Sequence, residues 1–139
     1  MLRLDKMTDY SVVVLAHLRR SGAASSAVEI AETTGLPHHT AARVLKMLVR
    51  AGFASSTRGR SGGYRANGGY VSVLDVLEAL EGRVALAACL DNATAGCAAA
   101  GTCPSEGGWN DLNEKIRAVL ANESVDSLAA RKRCASCIC

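Results

Sequence analysis

Along the first 50 positions, apolar residues recur at helical spacing, and glycines close the intervals. Tyr10, Val13, Val14, His17 and Leu18 share a stripe that runs to about Arg20 and stops at Ser21-Gly22; Thr8 is placed to cap its start, with Asp9 at the positive end of the helix. Ser26, followed three residues later by Glu29, forms a capping box, and Val28, Ile30 and Ala31 carry a helix of about two turns to Gly35. Pro37 suits the first turn of a third helix, in which Ala41, Val44, Leu45 and Leu48 fall at i, i+3, i+4 and i+7. Arg43, Lys46 and Arg50 then share its opposite face.

After Gly52 the pattern changes. Phe53-Ala-Ser-Ser-Thr57, the turn Arg58-Gly-Arg-Ser-Gly-Gly63 and Tyr64-Arg-Ala66 predict a β-hairpin. Two short helices joined by a tight turn, the second basic on its exposed side and followed by a hairpin, make a winged helix. Ser72 opens another helix through Leu74, Leu77 and Leu80 to Gly82, and a loop of small residues follows from about Ala88 to Gly108. Trp109, Leu112, Ile116, Val119 and Leu120 then stripe a long last helix. No later element is expected to cover that stripe, so a second subunit is its predicted partner. The fold class is mainly α: a winged helix-turn-helix with a small β-hairpin wing and a long C-terminal dimerisation helix. Residues 1–83 form the DNA-binding region, 84–108 the cysteine loop, 109–127 the dimerisation helix and 128–139 a flexible Cys-rich tail.

Composition narrows the class. A chain of 139 residues suits one domain, and 49% hydrophobic content with only 4% aromatics points to helices packed through Leu, Val, Ile and Ala. No apolar run approaches the roughly 20 residues of a membrane span, and Asp5, Lys6 and Asp9 interrupt any secretory h-region, so a cytoplasmic protein without membrane contact is expected. The net charge of +3 is mild but unevenly spread: Thr33 to Leu74 contains no Asp or Glu, yet holds Arg43, Lys46, Arg50, Arg58, Arg60 and Arg65. A field of one sign on a helix-turn-helix fits phosphates, and double-stranded DNA is the predicted partner.

Cys89, Cys97 and Cys103 lie in the Gly- and Ala-rich loop, separated by seven and then five residues. In a reducing cytosol, clustered thiols favour metal or redox chemistry over disulfides. The chain ends in Arg131-Lys-Arg-Cys-Ala-Ser-Cys-Ile-Cys139, whose Cys134, Cys137 and Cys139 suit a soft metal but lack an obvious fourth ligand; a basic tail with reactive thiols is the simpler reading. A thiol oxidoreductase built on Cys134 and Cys137 would lack the βαβ context of such motifs, and no Ser/His/Asp or paired-carboxylate arrangement is evident. No enzymatic activity is expected.

Four local patterns resemble the Rrf family of winged-helix regulators, which includes the IscR, NsrR, RirA, CymR and SUF-operon branches. They are Leu2-Arg-Leu-Asp-Lys-Met-Thr-Asp-Tyr10 at the first helix, Thr57-Arg-Gly-Arg-Ser-Gly-Gly-Tyr64 at the wing, Asp75-Val-Leu-Glu-Ala-Leu-Glu-Gly82 before the loop, and the three cysteines with Pro104 to Trp109. The resemblance spans about residues 1 to 125, and Thr8 to His17 looks most like the SUF-regulator branch.

That resemblance implies a homodimer on a palindromic operator, with His38, His39, Thr40 and Arg43 of the third helix in the major groove and Arg58 of the wing in the minor groove. Lys46, Arg50, Arg60 and Arg65 suit phosphate positioning. It also implies an iron–sulfur cluster held by Cys89, Cys97 and Cys103, of the 4Fe–4S kind ahead of 2Fe–2S, although the first gap is two residues longer than the family's. The fourth ligand departs from the IscR branch, because Glu106 stands where that branch has His; Asp9 matches the carboxylate that the NsrR branch supplies from the partner subunit. Asp9 is the first candidate and Glu106 the second, with water or a small thiol as the remaining options. The SUF-branch likeness implies repression of iron–sulfur assembly genes; nitric-oxide sensing of the NsrR type and cluster-free regulation of the CymR type are the rival readings.

Overall fold

The computed structural model describes residues 4–90, 99 and 102–130. Helix α1 (Lys6–Ser21) starts earlier than the stripe predicts, and Asp5 rather than Thr8 is its cap: the Asp5 carboxylate accepts the Met7 N–H at 2.9 Å. Thr8 is instead buried with Ser11 and Leu15, which lie three and seven residues on and therefore share its face. A side chain turned into the core cannot reach the open amides, so the cap falls to the next competent residue upstream.

Helix α2 (Ala27–Thr34) carries the expected capping box, the Ser26 N–H donating to the Glu29 carboxylate at 2.7 Å and the Glu29 N–H to the Ser26 hydroxyl at 3.2 Å. Helix α3 (His38–Arg50) starts immediately after Pro37 and buries Ala41, Val44, Leu45 and Leu48 completely. Strands β1 (Ala54–Thr57) and β2 (Gly63–Ala66) pair antiparallel, Ala54 opposite Ala66 and Thr57 opposite Gly63. The free side of β2 is fastened to the α1–α2 connection by a two-bond bridge, Ser25 N–H to the Tyr64 carbonyl at 3.0 Å and Tyr64 N–H to the Ser25 carbonyl at 2.8 Å. Helix α4 (Val73–Glu81) starts from a second capping box, Ser72 with Asp75.

The long helix, α5, spans Glu106–Asn122, and a further short helix, α6 (Val125–Ala130), follows it. A later element therefore does exist, and residues 128–130 are helical rather than part of a tail; residues 131–139, with Cys134, Cys137 and Cys139, lie outside the described residues. Helix α6 packs chiefly on α1. Its first residue, Val125, is fully buried with Val14, Leu15, Leu18, Ile30, Val44, Leu45, Leu48 and Val76 in the core, where each such side chain contributes about 1.5–3 kcal/mol. Val125 is held there because residues 71–73 pair with 123–125, through Val73 N–H to the Glu123 carbonyl at 2.8 Å and Val125 N–H to the Val71 carbonyl at 3.0 Å.

Two ion pairs tie these helices together: Arg19 of α1 with Asp126 of α6, and Glu78 of α4 with Arg117 of α5. The hydrogen bond from Arg19 holds the Asp126 carboxyl below its ordinary value, and the bond from Arg117, helped by the Val84 N–H, does the same at Glu78. A carboxylate depressed in the folded state stabilises the fold above its unfolded pKa, and that contribution is lost as pH falls through the folded pKa. The urea midpoint is therefore expected to decline on acidification below about pH 4.5, the ordinary glutamate value. Asp126→Asn should lower the midpoint at neutral pH and flatten part of the acid limb; an unchanged acid limb in both Asp126→Asn and Glu78→Gln would contradict the assignment.

Candidate functional site

The cations of the basic segment all face solvent. Arg43, Lys46 and Arg50 project from the exposed side of α3, His38 and His39 are exposed at its first turn, and Thr40 is half-buried beside them. Arg58 and Arg60 stand on the turn between β1 and β2, and Arg65 on the outer side of β2; all three are exposed. Among the described residues, none of these six cations forms an ion pair with a carboxylate. Their charge is thus left uncompensated toward solvent, as a phosphate-binding surface requires.

The turn that presents Arg58 depends on glycine. A Cβ on Gly62 would fall on the Thr57 carbonyl oxygen and lie 2.8 Å from the Arg58 carbonyl carbon, so the turn closes with no room for a side chain. Gly63, with φ 152°, sits against the Ser25 backbone. The Gly-Gly pair thus serves two functions, shaping the tip and seating the hairpin on the helices.

Cys89 and Cys103 lie in the connection between α4 and α5. These helices run antiparallel: the Tyr70 hydroxyl donates to the Ala121 carbonyl at 2.9 Å, Glu78 pairs with Arg117, and the Leu86 N–H donates to Asn113 Oδ1 at 3.0 Å. This succession carries residues 84–87 toward the N-terminal end of α5. Cys89 follows, exposed, in a single 3₁₀ turn at Ala88–Leu90; Cys103, half-buried, lies three residues before α5. Both thiols are free, whereas Cys97 lies outside the described residues. Among the described residues no three Cys, His, Asp or Glu side chains converge on one metal position. Glu106 is the first residue of α5; Asp9 is exposed on α1, lining a groove of about 460 Å³ with His17, Thr34 and Leu128.

Two features of this region escape a reading of apolar spacing alone. Asn113 is buried inside the α5 stripe, and its oxygen receives the chain that leads to Cys89; Glu78 anchors the same chain by accepting the Val84 N–H at 3.2 Å. The stripe itself divides. Ile116 and Leu120 line an apolar groove with Val73, Leu77 and Val84 of the α4 side, while Trp109, Leu112 and Val119 are 43%, 44% and 68% exposed. An Asn in the middle of an apolar stripe was the available signal, since a buried amide needs a partner.

A helix-turn-helix with a seated hairpin and uncompensated cations on both defines a winged-helix DNA-binding protein. Residues 4–131 match the family described as Rrf2, iron-dependent transcriptional regulator; the chain belongs to that family and is a transcription regulator. It is similar over 130 residues to protein aau3 of Rhizobium meliloti (strain 1021), 28% identical, covering 91% of this chain and 84% of that one. The fold is shared with CymR (YrzC), the global cysteine regulator of B. subtilis, at a TM-score of 0.74, 23% identity and coverage of 96% of this chain and 100% of that chain. It is shared also with T. potens IscR, at a TM-score of 0.66, 20% identity and coverage of 91% and 85%. Among the described residues no helix is long and apolar enough to cross a membrane.

Proposed function

We propose that the protein acts as a homodimer on a palindromic operator, with its DNA affinity set by an iron–sulfur cluster on Cys89, Cys97 and Cys103, and that it represses iron–sulfur assembly genes of the SUF type. The observation that carries the cluster reading is the antiparallel α4–α5 arrangement, which brings the segments of two free, accessible cysteines to the same end of α5. Soft thiolates suit iron–sulfur cores, and the donor set therefore fits the group. When bound, such a cluster supplies a linkage that responds to iron, oxygen or nitric oxide.

The chain's own residues do the rest. Asn113 and Glu78 fix the approach to Cys89, and the start of α5 fixes Cys103. Trp109, Leu112 and Val119 form the exposed apolar face that a second α5 covers. Asp9 of the partner subunit completes the ligand set, with Glu106 as the alternative donor. His38, His39, Thr40 and Arg43 read base edges in the major groove, Arg58 enters the minor groove, and Lys46, Arg50, Arg60 and Arg65 hold phosphates. To move the dimer between 1:99 and 99:1 populations of the binding geometry, ligation across the subunits must favour one geometry by about 5.5 kcal/mol.

Anaerobic purification with iron and sulfide analysis and Mössbauer spectra tests the proposal. Wild type is expected to be coloured, and alanine at Cys89, Cys97 or Cys103 to abolish the colour and the iron-dependent change in operator affinity. A spectrum altered by Asp9→Ala but not by Glu106→Ala would assign the fourth ligand to Asp9, and operator binding that then answers nitric oxide rather than iron would favour the nitric-oxide-sensing branch. Colourless wild-type protein whose DNA binding ignores iron would sink the cluster reading and favour a cluster-free regulator.

A further inference from the structure

Arg19 lies in the last turn of α1, away from the cations of the reading surface, yet its guanidinium makes four hydrogen bonds to three residues on two separate segments. Nε and Nη2 donate to the two oxygens of Asp126 on α6, at 2.7 and 2.6 Å. Nη1 donates to the Asn67 carbonyl at 3.3 Å, and Nη2 also to the Gly69 carbonyl at 2.8 Å. The side chain is only 13% exposed, so the fork is held on all sides rather than waving in solvent.

Asn67 is the residue that closes the base of the hairpin. It directly follows β2, its N–H donates to the Phe53 carbonyl at 2.9 Å, and its side-chain amide donates to the Gly52 carbonyl at 2.7 Å, both just ahead of β1. The segment it begins ends at residues 71–73, which pair with 123–125 between α5 and α6. One short stretch of chain is therefore bound to the wing at one end and to the C-terminal helices at the other, and Arg19 grips it beside Asp126.

We infer that Arg19 is a positioning residue for the wing, locking the base of the hairpin to α6 so that the seating of the C-terminal helices is felt at Arg58. The inference rests on Arg58 contacting the minor groove. A lysine in place of Arg19 would keep the charge but, as a single point donor, would not span two carboxylate oxygens and two carbonyls in fixed directions. A purely structural role would lower stability and weaken every DNA contact alike; a positioning role weakens the wing contacts selectively.

The test uses the full-length protein on a DNA fragment selected by the wild type from a random pool. Hydroxyl-radical protection reads the minor groove and dimethyl sulfate protection reads major-groove guanines. Asp126→Asn and Arg19→Lys are expected to raise the concentration for half-protection at the wing positions by about five- to tenfold, the net effect of losing one intramolecular hydrogen bond, with major-groove protection changed less than twofold. Arg58→Ala should remove the same minor-groove protections. Uniform weakening that tracks the urea midpoint, or unchanged minor-groove protection in both Arg19 and Asp126 variants, would overturn the positioning role. Protections that survive Arg58→Ala but weaken in the other two variants would instead overturn the Arg58 contact and leave the wing tether standing.

Discussion

Replacing Arg58 with alanine is expected to reduce operator affinity by about 100-fold, because the proposed dimer would lose two minor-groove contacts, each worth about 1–3 kcal/mol. The structure gives the reason for so large an effect from one exposed side chain. Arg58 stands at the start of a turn closed by Gly62, whose missing Cβ leaves room for the Thr57 carbonyl, so close packing within the turn sets the backbone that carries Arg58. A narrow minor groove carries enhanced negative potential that attracts an inserted arginine. Lys46→Ala provides the contrast: as a phosphate contact it should weaken specific and non-specific DNA about equally and flatten the salt dependence. With about six to eight phosphates neutralised, the wild-type log–log salt slope should lie near −5 to −7. A titration series by fluorescence anisotropy measures both, and a slope near zero would remove the DNA-binding assignment of these cations.

The reading surface was legible because every device that builds it is local. The Ser26–Glu29 box, the i, i+3, i+4, i+7 set on α3 and the glycine-rich turn each act within a few residues, so sequence spacing determines which side chains face inward and which face solvent. Cap choice at α1 was not legible in this way, since Asp5 and Thr8 are both competent and only the packing of Thr8 decides between them. Helix α6 was missed for a related reason: six residues show no period, and Val125 is core only because residues 71–73 receive it. Arg19 and Asp126 lie 107 positions apart, and nothing in either neighbourhood announces the other. The α5 stripe was seen but not its division, because five apolar positions define an arc and not what covers each edge of it. The cysteines show the reverse case. Their type and clustering suggested their chemistry without any geometry, whereas the structure adds the approach to Cys89 through Asn113 and Glu78.

Gly63→Ala is expected to cost about 3 kcal/mol of stability, more than its half-buried position on a hairpin would suggest. Two effects add. At φ 152° an L side chain is strained, at about 1–2 kcal/mol, and the new Cβ would lie 2.8 Å from the Ser25 carbonyl oxygen and 2.9 Å from its carbon. Backbone atoms cannot swing aside as a side chain would, so relief comes only by parting β2 from Ser25. That separation strains the two bridge bonds at 2.8 and 3.0 Å, worth about 1 kcal/mol each. Gly62→Ala acts in the same turn with a different balance. Its collision is with Thr57 and Arg58 inside the tip, so it should reshape the presentation of Arg58 while leaving the Ser25 bridge intact. Urea denaturation and DNA titration on the two variants separate the effects: Gly63→Ala should fall mainly in stability, and Gly62→Ala mainly in affinity. Equal losses of both kinds in the two variants would mean that tip and seat are one cooperative unit, and that the wing cannot be tuned without unfastening it.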